Sequence, residues 1–297
     1  MDIKLSSETL NLLIEKLSKA IGWYCEPKQI RRLAKADAEA KLRFCRKKLC
    51  AKVKSWNFAQ EWLTMVSFKW RHFKQDIILM LVRWYLSYSL SYRDVEDLAL
   101  ERGLKVDHST INRWVIRYAP QLEEVFRKRY KRPVGISWRM DETYIKVKGQ
   151  WVYLYRAVDK EGQTVDFMLS EKRDEPAARA FFEKAIGSSG IPDKVTMDKS
   201  GANKAGINTI NLLLALLFML GGVFTQISVR QIKYLNNIVE QDHRFVKKIT
   251  NPMRGFKAFH SAEATLAGIE LHHMLRKEQH KKSANQTIFE QFYGLAA

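Results

Sequence analysis

Cysteine is scarce in this sequence. Only Cys25, Cys45 and Cys50 occur among 297 residues, an odd number without zinc-like pairing, which argues against a disulfide framework and suits a reducing cytoplasm. Long hydrophobic runs are missing as well. The longest, Leu212 to Phe224 (LLLALLFMLGGVF), falls short of the ~20 residues that cross a bilayer and is broken by Gly-Gly. It reads as a core helix, and no membrane partner is expected. The opening MDIKLSSETLNLL has early acids and no continuous apolar stretch, so no secretion signal is expected. Acidic residues are the remaining deficit: 32 Asp and Glu face 51 Lys and Arg, leaving a formal net charge of +19 and a pI near 9.8. Such a surplus favours a polyanionic partner, with nucleic acid ahead of an anionic membrane surface.

The length exceeds the ~100–200 residues usual for one domain, so two or three are expected. Leu10, Leu13, Ile14, Leu17 and Ile21 recur at helical spacing before Gly22. Lys28 to Lys54 then carries eleven Lys and Arg against Asp37 and Glu39, either a solvated basic helix or a nucleic-acid contact. From Ser91 to Pro120 the text SYRDVEDLALERGLKVDHSTINRWVIRYAP reads as helix, Gly103 turn, helix. In the second helix Ile111, Trp114, Val115 and Tyr118 form one buried stripe, leaving Thr110, Asn112, Arg113 and Arg117 outward. Asn and Arg suit base edges, and His108 and Ser109 near the helix start could reach base or phosphate. Pro120 and the basic RKRYKRP that follows read as a linker.

Beyond it the hydrophobic period changes. Ile136 to Lys148, Trp151 to Val158 and Thr164 to Leu169 are strand-like, joined by KGQ and DKEGQ turns into an antiparallel meander. A helix over Pro176 to Ile186, a short strand Lys194 to Met197, the apolar helix through Leu212 to Leu220, a strand Thr225 to Val229 and a helix Asn236 to Ile249 complete the order βββ, α, β, α, β, α.

Three acids stand out. Asp141 lies in the first strand beside Glu142, with alternation expected to point the two carboxylates apart. Either could be solvated or paired, or be a metal-binding group on a central strand. Asp198 closes the fourth strand inside MDKSGAN, where it could also cap the next helix. Glu240 falls in the first turn of the last helix, where, with Asn237 as N-cap, it would occupy the capping-box position. On that helix Ile238, Phe245 and Ile249 are expected to be buried, whereas Glu240, Arg244 and Lys247 share another face. Jointly, two Asp and one Glu at strand ends and a helix start of a basic chain suggest divalent-metal chemistry on phosphodiesters. His272 and His273 read as packing or surface groups.

The stretches FKWRHFKQDIILMLVRWYLSYSLSYRDVEDLALERGLKVDHSTINRWVIRYAP, WRMDETYIKVKGQWVYLYRAVDKEGQTVDF, DKSGANKA and RQIKYLNNIVEQDHRFVKK resemble the DDE transposases of bacterial insertion sequences, more narrowly the insertion sequence six family. The resemblance covers about Phe68 to Gln279. It implies an RNase H-like (retroviral integrase-type) catalytic core with a mixed five-stranded sheet, preceded by an all-α helix-turn-helix domain. Residues 1–66 would be a basic helical extension from a fusion or upstream reading frame, Met65 matching the usual start. Residues 67–132 would be the DNA-binding domain and 133–297 the catalytic domain. Asp141, Asp198 and Glu240 would be the catalytic, metal-binding triad, Lys247 would contact DNA, and Asp141 is selected over Glu142. The interval from Asp198 to Glu240 is longer than in some relatives, so the intervening helix or loop should be extended.

The implied activity is cleavage at the ends of an element and joining of the freed 3′-hydroxyl to target DNA. Two Mg²⁺ ions, replaceable by Mn²⁺, would lie ~3.5–4 Å apart, with Arg244 and Lys247 positioning the strand. Partners would be double-stranded DNA, both terminal inverted repeats and target, and further copies of the chain in a homodimer or larger assembly in the bacterial cytoplasm at the nucleoid. A transposase-derived DNA-binding regulator without catalysis, and a metal-dependent nuclease without strand transfer, remain alternatives.

Overall fold

The computed structural model describes residues 66–68, 72–219 and 226–296. The expected first helix, the basic Lys28–Lys54 stretch and Met65 lie outside the described residues.

Three helices come first: α1 (Gln75–Ser87), α2 (Tyr92–Glu101) and α3 (His108–Val125). Ser91 and Asp94 form a reciprocal capping box on α2, and Asp107 caps α3 by accepting from the Ser109 N–H at 2.8 Å. Gly103 turns the chain between them at φ +73°, as the helix-turn-helix pattern requires. The linker reading at Pro120 is corrected. Helix α3 runs through Pro120 to Val125 and continues as a π-helical turn over Phe126–Tyr130. An interior proline costs ~3 kcal/mol, but the buried stripe persists through Tyr118, Ala119, Leu122, Val125 and Phe126, and its burial offsets that loss. Nor is RKRYKRP free. Arg127 pairs with Glu123 and, at 3.0 Å, with the fully buried Asp166, while Lys131 Nζ donates to the Val165 carbonyl at 2.6 Å.

The sheet is built from β1 (Ser137–Val147), β2 (Gln150–Asp159), β3 (Thr164–Ser170), β4 (Lys194–Thr196) and β5 (Ser228–Arg230). Lys148 and Gly149 join β1 to β2 with φ +50° and +79°, the left-handed pair that a two-residue hairpin needs. The strand order is β3-β2-β1-β4-β5; β1 to β3 are antiparallel neighbours and β4 and β5 run parallel to β1. This is the mixed five-stranded, RNase H-like arrangement expected. The helices are α4 (Glu175–Ser189), α5 (Gly201–Met219), α6 (Asn237–Thr250), α7 (Phe259–Arg276) and α8 (Ile288–Gly294). The expected apolar helix thus begins well before Leu212, because GANKAGINTIN already buries Asn203, Ile207 and Ile210. No helix among the described residues is long and apolar enough to cross a membrane.

Alternation along β1 divides the interior. Trp138 and Met140 face a cluster with Tyr155, Phe181, Phe182 and Ile207, while Ile145 and Val147 face a second cluster with Leu154, Val246 and Leu266. That second cluster continues without interruption into Ile78, Leu86, Val115 and Tyr118 of the first three helices. The two sides of the expected boundary at residue 132 therefore share one core. Gly268 of α7 sits at this junction, where an added Cβ would meet Leu86 at 2.5 Å and Ala119 at 2.8 Å. We expect Gly268→Ala to lower stability by about 1–3 kcal/mol through overpacking, measured by urea unfolding; an unchanged midpoint would show that the helices part easily.

Candidate active site

Register brings the first two acids together. The parallel ladder between β1 and β4 pairs Arg139 with Thr196 and ends there. Asp141 and Asp198 each lie two residues beyond that last pair, side by side where the strands part. The Met197 N–H still bonds the Arg230 carbonyl at 3.0 Å, and Asp198 then turns into α5 with Oδ1 accepting from the Ser200 N–H at 3.0 Å. The capping alternative for Asp198 is thus realised with one oxygen only.

Glu142 departs from expectation. The burial alternation of β1 changes phase at Asp141 and Glu142, and Asp141, Glu142 and Asp198 each present an oxygen within 4.8 Å of the others. The two neighbouring carboxylates do not point apart at their tips, because β1 has lost its β4 partner at this edge. Glu142 is almost buried, accepting from Asn203 Nδ2 at 2.9 Å and from Arg173 Nε at 3.2 Å.

The third acid arrives by backbone anchoring. Arg139 Nε donates to the Leu235 carbonyl at 2.9 Å, and Asn236 Nδ2 donates to the Met140 carbonyl at 3.1 Å. These bonds clamp the start of α6 to the residues just before Asp141, and Glu240 follows one turn later. The capping-box expectation is overturned: Asn236 is the N-cap, its side chain is committed to β1, and Glu240 lies one position too far to reach back. The buried stripe of α6 is Val239, His243, Val246 and Ile249, with Ile238 exposed, a rotation of one residue from expectation. Glu240, Arg244 and Lys247 are all exposed on the remaining face.

Glu240 is outside the 4.8 Å group, but it belongs to the same electrostatic field. Burial first, then the charges of Glu142, Asp198 and Glu240, push the Asp141 carboxyl up to about 7. A cluster of hard oxygen donors of this kind suits a divalent cation. Beside it His243 Nδ1 lies 3.9 Å from Asp141, and burial with Arg156 and Lys247 holds this imidazole neutral, down to about 3.

Asp242, for which the sequence offered no account, closes a buried network. It accepts from Arg156 at 2.7 Å, His273 at 2.7 Å and Lys277 at 2.5 Å. His273 stacks on Phe245 while bonded to Asp242, and His272 is likewise buried, so neither histidine is a surface group. Burial, then Arg276 and Arg83, lowers His272 to about 3. Its folded value lies below the unfolded ~6.5, so the stability it contributes is present above that pH and lost on acidification. Relative to His272→Phe, we expect the wild type to lose about 1.4 kcal/mol per pH unit between roughly pH 6 and pH 4. Parallel pH dependence of the two unfolding free energies would refute this.

On α3, Ser109, Arg113 and Arg117 are exposed as expected. Thr110 is half-buried and accepts from Arg113 at 2.8 Å, and His108 Nδ1 lies 2.9 Å from Glu96. Asn112 is half-buried and lines a crevice with Met253, Phe256 and Thr265. Sequence reasoning missed Arg139, Asn236, Arg173 and Asn203. Only the doubled Asn of YLNN hinted at one of them.

Residues 135–279 match a family model described as a DDE domain. A transposase for insertion sequence-like element IS431mec of Staphylococcus aureus is 40% identical over 214 residues, covering 72% of this chain and 90% of the relative. The chain belongs to the insertion sequence six family of DDE transposases. The transposase for insertion sequence element IS257 in transposon Tn4003 of Staphylococcus aureus matches over the same span at 40% identity. An uncharacterised protein of Yersinia pseudotuberculosis, pYV0051, is 45% identical to this family member over 60 residues, 20% of the chain and 56% of that protein. Among solved structures, a chain of a simian T-cell lymphotropic virus intasome with the PP2A regulatory subunit B56 gamma aligns at 14% identity and TM-score 0.35, covering 48% of this chain and 51% of that one. The HTLV-2 integrase catalytic core domain in complex with magnesium aligns at 15% identity and TM-score 0.29, covering 55% and 83%.

Proposed function

We propose that this transposase binds the terminal inverted repeats of an insertion sequence, cuts a phosphodiester at each end and joins the freed 3′-hydroxyl to target DNA. Support comes chiefly from the clamp of Arg139 and Asn236, which brings the start of α6 beside Asp141 and Asp198. Asp141, Asp198 and Glu240 would hold two Mg²⁺ ions, replaceable by Mn²⁺, which when bound acidify water and offset charge on the phosphate. In the first step a water oxygen bonds to phosphorus and the strand's 3′-oxygen leaves. In the second that 3′-hydroxyl attacks a target phosphorus and displaces its 3′-oxygen. No side chain needs to become covalently bound. Arg244 and Lys247, exposed on the Glu240 face of α6, hold the strand by its phosphates. Neutral His243 backs Asp141 from the buried side of α6 without adding a competing cation.

Helix α3 would read the repeats through Ser109, Arg113 and Arg117, with His108, Thr110 and Asn112 shaping its start. The reading includes residues 67–132 as the DNA-binding part, 133–297 as the catalytic part, and assembly as a homodimer or larger. Arg113→Ala combined with Arg117→Ala should weaken binding to a repeat-bearing duplex by about 10-fold or more, at roughly 1 kcal/mol or more per lost contact; unchanged affinity in a gel-shift titration would remove α3 from the interface. The reaction itself is tested by incubating the full chain with Mn²⁺, duplexes from the DNA flanking the gene, and a target plasmid. Joined products support the proposal, hydrolysis alone indicates a nuclease, and binding without either indicates a regulator.

A further inference from the structure

Arg173 lies in the short loop between β3 and α4, a loop held at both ends by the Ser170–Lys172 turn and by Asp174, which caps α4. Its guanidinium spans two acids. Nε is 3.2 Å from Glu142 Oε1, Nη2 is 3.5 Å from Glu142 Oε2, and the same Nη2 is 3.3 Å from Asp198 Oδ2. The other oxygen of Asp198 is already taken by the Ser200 N–H. A divalent ion using the free side of Asp198 must therefore contend with Arg173, since two cations on one carboxylate oxygen repel.

Glu142 is the fixed end of this arrangement. It is 4% exposed at the side chain and is gripped by Asn203 of α5, itself fully buried, whereas Asp198 is 40% exposed and Arg173 35%. Letting go of Asp198 costs little, because an exposed pair is weak; letting go of Glu142 would strand a buried charge. The guanidinium can thus leave Asp198 while staying tied to Glu142, and its freed N–H groups suit a phosphate oxygen.

We propose that Arg173 is the resident counter-cation of the acid cluster, displaced from Asp198 when a divalent ion loads and then offered, on its Glu142 tether, to a DNA phosphate. The inference rests on the metal site proposed above. It gives Glu142 a role distinct from that of Asp141: it is the anchor of a movable cation.

The test is calorimetric titration of Mn²⁺ into the full chain without DNA, and titration of a labelled duplex from the DNA flanking the gene in Ca²⁺. Arg173→Gln should bind Mn²⁺ about 2- to 5-fold more tightly than wild type, the range that a partly exposed ion pair is worth. The same variant should bind the duplex about 3- to 10-fold more weakly, for one lost charge-assisted phosphate contact. A merely structural arginine would move both affinities down together. Arg173→Lys, keeping the charge, should restore most of the DNA affinity. Mn²⁺ affinity equal to or below wild type in Arg173→Gln, or undiminished duplex affinity, overturns the proposal. Asp198→Asn separates the two readings: weakened Mn²⁺ binding leaves the metal site standing while Arg173 is judged alone, and unchanged binding overturns both.

Discussion

Asp198→Asn should abolish cutting and joining, lowering strand transfer by at least about 10³-fold, while leaving affinity for a repeat-bearing duplex within about 2-fold of wild type. The asymmetry follows from where Asp198 sits. Its Oδ1 needs only to accept from Ser200, which an Asn carbonyl does equally well, so the turn into α5 and the fold survive. What disappears is one unit of negative charge beside Asp141, at the place where the parallel ladder opens. A neutral amide is a poor ligand for a hard divalent cation. The measurement is a time course of joined product with Mn²⁺ alongside a gel-shift titration. Strand transfer within 10-fold of wild type would mean that Asp198 is not required, and the proposed triad would fail.

Arg156→Ala is expected to be the most destabilising single change, at about 3–5 kcal/mol. Arg156 is fully buried on β2, directly opposite Asp141 in register, and bonds Glu270 through Nε at 2.6 Å and Nη2 at 2.9 Å, and Asp242 at 2.7 Å. Asp242 retains His273 and Lys277 after the substitution. Glu270 does not: among the described residues its only hydrogen bonds are to Arg156, and its carboxylate would be left buried and unpaired. Replacing both as Arg156→Met with Glu270→Leu removes the stranded charge and should recover most of the loss. Urea unfolding of the three proteins decides this, and a cost below about 1 kcal/mol for Arg156→Ala would show that water relieves Glu270. Because the network ties β2 to α6 two residues after Glu240, strand transfer should fall with stability in the single variant and return in the double.

Local signals carried much of the architecture. The change from helical to alternating periodicity after residue 133, the KGQ turn, the Gly103 turn, and the order of strands and helices are nearest-neighbour properties, and the structure retains them. Places where local and long-range preferences compete were not legible. Pro120 is a helix breaker by its own chemistry, yet the buried stripe beyond it decides otherwise. Asn112 looks fully outward on a helical wheel, whereas in the fold it is half-buried in a crevice lined by Met253 and Phe256. Asn237 is a good cap in isolation, but Asn236 takes that position and gives its side chain to β1.

By itself the amino-acid sequence marked Asp141, Asp198 and Glu240 as the acids to follow and put Glu240, Arg244 and Lys247 on one exposed helix face, since side-chain period and turn chemistry depend only on neighbouring residues. Tertiary structure alone decided that Asp141 and Asp198 meet where two parallel strands separate, that the start of the helix carrying Glu240 is tied to β1 by two hydrogen bonds, and that Glu142 belongs with Arg173 and Asn203. The reason is distance along the chain: charge pairing and strand register join residues tens of positions apart, and no short-range preference encodes which partner a carboxylate will find.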